Sequence, residues 1–311
     1  MRLQKCDRSE YSGEKTRRGL HFFHYSNRCR KGSTDTAQRT YMKDGRQFRR
    51  VFNATLRRMP KRPSLKESVL ILGATDFDKA VLEALGFQNV TLSYFGGGSS
   101  SALKIDAEDI ALPNGSFDMV FAHEVLHHVR SPHRALCEML RVARQHVIFM
   151  EPNDSSAMRM LTAAGFSFPF EILSVQAHGF QAGGVRDTNV PNYIYRWNRR
   201  EVEKTVSSYL AETGGAVHAS GYWDFSVDDL DLSLRASTTR LQLFGSIIGE
   251  RRLLSLLRGS QRILNGITGI RQQGNKFLCV IDKQSTLRPW LKPDGEEIVF
   301  DRGFSVHRHS D

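Results

Sequence analysis

The chain has 311 residues, of which 40% are hydrophobic, 10% aromatic and 25% charged, and these globular proportions exclude a wholly disordered or fibrous protein. No stretch approaches the roughly 18 consecutive apolar residues of a membrane span, and the basic N-terminal region has no apolar segment typical of a secretory signal. The four cysteines form no CxxC pair, so the sequence predicts no disulfide framework and no metal site, and it favours a cytoplasmic location.

The net charge of +11 is concentrated at one end of the chain. Residues 1–62 hold 18 of the 44 basic residues and 5 of the 33 acidic ones, which gives this segment a charge of +13. Such a segment could attract an anionic partner such as nucleic acid. Scattered basic and aromatic residues do not define a nucleic-acid module, however, so the favoured interpretation is a basic, partly helical extension with a helix over residues 46–59.

Two prolines, Pro60 and Pro63, separate this extension from a predicted main domain over residues 63–284. Short apolar runs predict buried strands, and a 3.6-residue spacing of apolar side chains predicts helices. The predicted strands of the first half are residues 68–72, 89–94, 102–105, 117–122 and 146–150. The predicted helices are residues 78–85 and 132–143. This alternation is typical of βαβ units in a mostly parallel sheet, which binds ligands at the carboxyl ends of its strands.

The pattern is looser after Pro152. Residues 153–198 are rich in Gly, Phe, Asn and Tyr and are expected to form an insertion that covers a substrate. Helices are predicted over residues 199–209 and 241–257, and strands over residues 216–225 and 276–282. Residues 285–311 are expected to form a C-terminal tail, and no internal repeat is present.

The segment DAEDIALPNGSFDMVFAHEVLHHVRSPHRALCEMLRVARQHVIFMEP, residues 106–152, carries the strongest local signal. It resembles the central part of class I S-adenosylmethionine-dependent methyltransferases of the type that act on small molecules, and the resemblance extends back to residue 68. It implies an α/β fold, with a Rossmann-like, doubly wound, mostly parallel sheet, helices on both faces and insertions after the fifth and sixth strands. It also implies S-adenosylmethionine as the cofactor and methyl transfer to oxygen or nitrogen of a small molecule.

The resemblance implies a cofactor site along the carboxyl ends of the strands. The residues that it places there are Gly73 and Ala74 in the first turn, Ser93 at the ribose, Asp106 and Ala107 at the adenine, and Ala122 at the end of the FDMVFA strand. Two positions depart from the family pattern, because Ile71 and Ser93 stand where acidic residues are usual. A hydroxyl accepts a weaker hydrogen bond than a carboxylate does, so weaker ribose binding is expected.

Transfer to an oxygen atom also needs a general base within reach of the acceptor. The candidates are His123, His127 and Glu151, although His127 and the adjacent His128 can instead hold the loop by hydrogen bonds to the backbone, as such histidines often do in this family. Tyr193, Tyr195 and Trp197 are expected to line the substrate, or alternatively to attach the insertion to the sheet as an aromatic cluster.

Two other functions remain open on the sequence. One is a methyltransferase-like binding or scaffolding protein with weakened or lost cofactor binding, which the glycine-poor turn LGATDFD, residues 72–78, and Ser93 favour. The other is a nucleic-acid methyltransferase recruited by residues 1–62, although the motif Asn/Asp-Pro-Pro-Tyr/Phe of base-amine methylases does not follow the FDMVFA strand. The acceptor molecule and the oligomeric state have no sequence signal.

Overall fold

The computed structural model describes residues 53–54, 56–57, 63–73, 76–95, 102–225, 245–295 and 297–305. The predicted basic extension over residues 1–62 therefore lies almost entirely outside the described residues, and so does most of its predicted helix over residues 46–59. Within the described ranges, the longest helices are too short or too polar to cross a lipid bilayer.

Seven strands form one sheet. Their bounds are β1 (Ser68–Leu72), β2 (Asn89–Tyr94), β3 (Leu103–Lys104), β4 (Phe117–His123), β5 (Ala143–Pro152), β6 (Gly215–Tyr222) and β7 (Lys276–Lys283). The strand order is β3-β2-β1-β4-β5-β7-β6, and β7 runs antiparallel to both of its neighbours. The sequence-based prediction of a mostly parallel, doubly wound α/β sheet is thus confirmed.

The central strands read as apolar runs because both of their faces are covered. In β1 the last four residues are buried, and β4 and β5 carry similar unbroken stretches. The strand predicted over residues 146–150 is longer in the structure, since Ala143 pairs with Phe117 across a register shift at the start of β4.

Helices cover both faces of the sheet. Their bounds are α1 (Asp76–Ala84), α2 (Pro132–Val142), α3 (Ser156–Ala163), α4 (Ile172–Ala177), α5 (Arg199–Tyr209), α6 (Glu250–Gly266) and α7 (Thr268–Arg271). On one face, Leu136 of α2 and Val202 of α5 pack against Phe149. On the other face, Val81 and Leu82 of α1 belong to the hydrophobic cluster formed by the strand side chains that point to that side of the sheet.

The first turn of helix α2 lies near the rim of the sheet that carries the candidate site. Pro132 occupies the first helical turn, where its fixed φ is compatible with helix and its missing N–H is not needed. The Glu108 carboxylate accepts hydrogen bonds from the backbone N–H groups of Arg130 and Ser131 at 3.2 and 2.8 Å. At the other end, Lys283 donates to the carbonyls of Leu140 and Ala143, which ties α2 to the last strand of the sheet.

The expected insertion after the fifth strand is present between β5 and α5. It contains α3, α4 and a 3-10 turn over Val185–Asp187. Its two ends meet beside β5, because the N–H of Trp197 donates to the Pro152 carbonyl at 2.8 Å. A second long connection, between β6 and β7, contains α6 and α7. Residues 245–248 are also helical, so the described part of the helix predicted over residues 241–257 is present except at Gly249, and it continues to Gly266; residues 241–244 lie outside the described residues.

The segment predicted as a tail contains regular structure. Strands β8 (Leu291–Asp294) and β9 (Glu297–Phe300) pair in a two-stranded antiparallel hairpin. Most of their side chains are exposed, so the hydrophobic alternation that identifies a half-buried strand is weak here.

Candidate functional site

A cavity of about 360 Å³ opens at the carboxyl ends of the parallel strands. Gly73 follows β1, Tyr94 and Phe95 lie at the end of β2, and Glu124 follows β4 on its wall. The remaining wall comes from the loop before α2 and from the insertion. Its lining there includes Ile105, Asp106, Ala107, Val125, His128, Val129, Ser174, His178, Gly183, Gly184, Arg186 and Asp187.

Gly73 makes the sharp turn that the sequence predicts after β1. Its φ is +56°, in the left-handed region that favours glycine, and a Cβ there would lie 2.7 Å from Cγ2 of Val125. The loop before α2 therefore approaches the β1 turn closely. Ala74, the next residue of the predicted cofactor turn, lies outside the described residues.

Two of the predicted cofactor contacts are not on this wall. Ser93 is fully buried, and its hydroxyl donates to the Ile71 carbonyl at 2.8 Å, so the side chain turns into the sheet and away from the expected ribose position. Ala122 is fully buried in the core within β4. Both expectations followed from position at a strand end, whereas the structure places Tyr94 and Phe95 at the cavity instead.

Asp106 and Ala107 do reach the cavity, but the Asp106 carboxylate already has partners. Nη2 of Arg186 lies 2.8 Å from Oδ2 of Asp106, and Nη1 lies 3.0 Å from Oε2 of Glu108. The guanidinium also lies 4.7 Å from the centre of the Phe95 ring. An arginine from the insertion thus pairs with the carboxylate that the resemblance assigns to the adenine amine.

Sequence reasoning missed Arg186, which is 80 residues from Asp106 and has no local motif. Its backbone adopts a positive φ of 51°, which is uncommon for arginine, and its N–H donates to the His128 carbonyl at 2.8 Å. The segment is compact at this point, because a Cβ on Gly184 would lie 1.9 Å from the Val190 carbonyl oxygen.

Two ion pairs lie at the end of β4. Nδ1 of His123 lies 2.7 Å from Oδ1 of Asp78, and Nζ of Lys276 lies 2.8 Å from Oε2 of Glu124. Burial lowers the pKa of His123, but the hydrogen bond to Asp78 and the charges of Asp78 and Glu124 together outweigh it, so the net shift is upward. Burial would raise the pKa of Glu124, but Lys276 and the charges of His127 and His123 together lower it to about 2, so this carboxylate is ionised at neutral pH.

His127 is held from both sides by carboxylates. Its Nδ1 lies 2.5 Å from Oε2 of Glu151, and its Nε2 lies 3.3 Å from Oε2 of Glu171. Burial lowers the pKa of His127, but the Glu151 charge and then Glu171 raise it to about 10. Glu151 is itself fully buried and accepts hydrogen bonds from the N–H groups of Val125 and Leu126, each at 2.7 Å.

His128 is a neighbour that sequence reasoning treated as part of the loop. It lines the cavity, and its Nε2 also lies 3.3 Å from Oε2 of Glu171. Burial and the adjacent His127 charge lower the pKa of His128, so this ring is neutral at neutral pH. The two histidines and Glu171 form a cluster close enough to hold a metal ion.

A second cavity of about 670 Å³ lies between the end of the insertion and α5. Tyr193 and Tyr195, the two tyrosines of the expected substrate wall, line it together with His133. The polar part of its wall consists of Asp154, Arg196, Asn198, Arg200, Glu201, Lys204 and Thr205. Trp197 is placed differently from the expectation. It is fully buried and packs 5.4 Å from Phe149, measured between ring centres, so it attaches the insertion to the sheet.

Residues 64–150 match the family model of a methyltransferase domain. No curated protein sequence matches the chain.

Several solved structures resemble the fold at low identity. A complex of the Haloferax volcanii Trm112 methyltransferase activator with a methyltransferase is 13% identical, at a TM-score of 0.43, over 81% of this chain and 96% of the other. A possible histamine N-methyltransferase of Thermotoga maritima is 12% identical, at 0.41, over 80% and 92%. Magnesium protoporphyrin IX methyltransferase of Synechocystis, with bound SAH, is 15% identical, at 0.39, over 62% and 90%.

The matched segment spans β1 to β5 and includes most of the strand ends that form the 360 Å³ cavity. Identities and scores of this size carry no substrate or residue role from those structures to this one. Residues 64–150 are thus similar to a methyltransferase domain, and the sheet that they begin has the mostly parallel α/β topology predicted from the sequence.

Proposed function

We propose that this protein transfers a methyl group from S-adenosylmethionine to an oxygen or nitrogen atom of a small molecule. The observation that carries the proposal is the cavity that Gly73, Asp106 and Glu124 line at the carboxyl rim. Open α/β sheets bind ligands at this edge, where the strand order reverses on either side of β1.

The cavity fits an adenosyl cofactor in size and in chemistry. Its volume of about 360 Å³ lies within the range of roughly 300–1,000 Å³ found for small-molecule pockets. Ile105 and Val125 offer apolar contacts for a flat base, and Asp106 offers a carboxylate for its amine. The ionised Glu124 suits the ammonium group of an amino-acid tail. When bound, the cofactor supplies a methyl group already activated on a sulfonium.

His123 is the proposed proton acceptor for an oxygen nucleophile. It lies at the end of β4 on the same rim. Asp78 fixes the orientation of its ring through Nδ1, as a third group orients the base in many active sites. His127 and Glu151 are less suited to this role. Both are almost completely buried, and the raised pKa of His127 keeps its ring protonated at neutral pH.

The second cavity is proposed to hold the acceptor. The amide of Asn192 donates to the His127 carbonyl at 3.0 Å, and the next residue, Tyr193, lies on the wall of the second cavity. One short segment therefore borders both the loop that carries His127 and the second cavity. Arg196, Arg200 and Lys204 outnumber the two carboxylates in the lining, which favours an acceptor that carries an anionic group next to a planar ring.

The test is isothermal titration with S-adenosylmethionine and with S-adenosylhomocysteine. We expect one binding site in the wild type and weaker binding by Asp106→Asn, because losing a hydrogen bond to a charged group costs about 1.5–3 kcal/mol, or roughly 10- to 150-fold in affinity. Asp109→Asn, an exposed carboxylate three residues away, is the matched control and should bind as the wild type does. Absence of binding at millimolar ligand would overturn the proposal.

One observation favours a second candidate, a methyltransferase-like binding protein that no longer turns over. Arg186 pairs with the Asp106 carboxylate, which the resemblance assigns to adenine. The Ser93 hydroxyl, which the resemblance assigns to the ribose, donates to the Ile71 carbonyl instead. The two functions differ in product: release of S-adenosylhomocysteine with any acceptor from a panel of anionic phenols and amines eliminates the binding-only function.

A further inference from the structure

We propose that His127, His128 and Glu171 form a binding site for a divalent transition-metal ion such as Zn²⁺. Their donor atoms are two imidazole nitrogens and one carboxylate oxygen, which are common zinc ligands. Neither the family match nor the sequence pattern assigns a metal to this chain.

The distances agree with tetrahedral coordination. Oε2 of Glu171 lies 3.3 Å from Nε2 of His127 and 3.3 Å from Nε2 of His128. Ligand atoms about 2.0–2.1 Å from a tetrahedral zinc lie about 3.3–3.4 Å from one another. The two Glu171 distances therefore match two edges of such a tetrahedron, and all three donor atoms lie within 4.8 Å of one another.

Two imidazole nitrogens converge on one buried oxygen of Glu171. Among the described residues, Oε2 makes ion-pair contacts with both histidines but no hydrogen bond of good geometry. An unsatisfied buried carboxylate oxygen is costly, and a metal ion between the three groups would satisfy it.

A second layer of contacts orients the ligands. Oε2 of Glu151 lies 2.5 Å from Nδ1 of His127, so the opposite nitrogen, Nε2, is directed at Glu171. A carboxylate behind a ligating histidine is the usual outer contact in zinc sites. Coordination through Nε2 of His127 would release the proton that this ring carries in the metal-free protein.

The backbone fixes the third ligand against the first two. The N–H of Glu171 donates to the Asn192 carbonyl at 2.9 Å, and the amide of Asn192 donates to the His127 carbonyl at 3.0 Å. Asn192 is thus a positioning residue that joins the insertion to the histidine loop. Glu171 is 44 residues from His127 in sequence, which explains why no ligand spacing is visible there.

The site can be reached from solvent on one side. His127 is buried, but the side chains of His128 and Glu171 remain 28% and 31% exposed. Three protein ligands would leave the fourth tetrahedral position of a bound ion for water or a small ligand. His128 also lines the 360 Å³ cavity, so the ion would lie beside that cavity; metal binding itself does not depend on the proposed function.

The test is metal binding by the full chain without a methyl donor. Protein stripped with a chelator is titrated with Zn²⁺ against a chromophoric competitor, and Co²⁺ is added separately to record its visible spectrum. We expect one equivalent bound and a Co²⁺ spectrum of tetrahedral intensity. Glu171→Gln and His128→Ala should each weaken this equivalent by at least 100-fold, more than the roughly 10- to 100-fold typical of outer-layer changes such as Asn192→Ala.

His133→Ala is the matched control, because that histidine contacts Tyr195 and Glu201 outside the cluster and should leave Zn²⁺ binding unchanged. Glu171→Gln keeps the shape of the side chain, so a folded variant is available if His128→Ala does not fold. The proposal is overturned if the wild type binds no Zn²⁺, or if Glu171→Gln binds it as tightly as the wild type. S-adenosylmethionine titration of the stripped protein reports on the proposed function separately.

Discussion

Replacing Glu151 by glutamine tests how the loop that carries both histidines is held in place. The side chain is fully buried and uses both oxygens. Oε1 accepts from the N–H groups of Val125 and Leu126, each at 2.7 Å, and Oε2 faces Nδ1 of His127 at 2.5 Å. Glutamine has nearly the same shape, so the substitution removes the charge and leaves the packing.

The expected loss follows from these contacts. Hydrogen bonds to a charged group contribute about 1.5–3 kcal/mol and neutral ones about 0.5–1.5, so the two backbone bonds together lose roughly 2 kcal/mol. Removing one partner of a buried ion pair costs about 3–5 kcal/mol. The two losses share one carboxylate and do not add, so we expect the free energy of unfolding to fall by about 3–5 kcal/mol. For a domain of this size, Tm should fall by roughly 6–20 °C.

The assay is urea and thermal unfolding followed by circular dichroism. Glu203→Gln is the matched control, since Glu203 pairs with Arg199 on the surface of α5 and should change the free energy of unfolding by less than about 0.5 kcal/mol. If Glu151→Gln loses less than about 1 kcal/mol, the carboxylate does not hold the loop and the reasoning is refuted.

Three further predictions concern other contacts. Arg186→Gln removes two partly exposed ion pairs worth about 0.2–1 kcal/mol each, so S-adenosylmethionine should bind roughly 2- to 30-fold tighter by titration calorimetry; weaker binding would show that the guanidinium contacts the cofactor. Although burial opposes it, Lys276 lowers the pKa of Glu124 to about 2. The stability that this ionised group contributes is complete above its unfolded pKa of about 4.5 and is lost as the pH falls towards 2. Between these pH values, the free energy of unfolding measured in urea should therefore fall less steeply in Glu124→Gln than in the wild type. Equal pH dependence in the two proteins would contradict this. Trp197→Ala should lower the free energy of unfolding by about 3–5 kcal/mol, measured from the denaturant midpoint, whereas the exposed Tyr193→Ala should lose much less; similar losses would show that Trp197 is not a core residue.

The parallel half of the sheet could be predicted because its signal is local. Strands β1, β4 and β5 are buried on both faces, and a continuous apolar run records this directly in the sequence. The hairpin of β8 and β9 was missed for the opposite reason, since its side chains are mostly exposed and no pattern of burial marks its strands.

The candidate site was predictable only in part. Gly73 and Asp106 lie where a turn and a strand end place them, and local sequence is enough to find both. The side-chain direction of Ser93 depends on the neighbouring Ile71 carbonyl, and the partner of Asp106 comes from Arg186 in a distant insertion. Contacts of this kind depend on tertiary packing, which one sequence does not record.

The position of β7 has a consequence for biosynthesis. This strand is the last of the sheet to leave the ribosome, yet it lies between β5 and β6 and is the sheet neighbour of β6 among the described strands. A nascent chain that ends before residue 276 can pair β1 to β5 but leaves the edge of β5 open and β6 without its neighbour. The exposed edge of β5 is therefore the point at which incomplete chains should be most prone to aggregate.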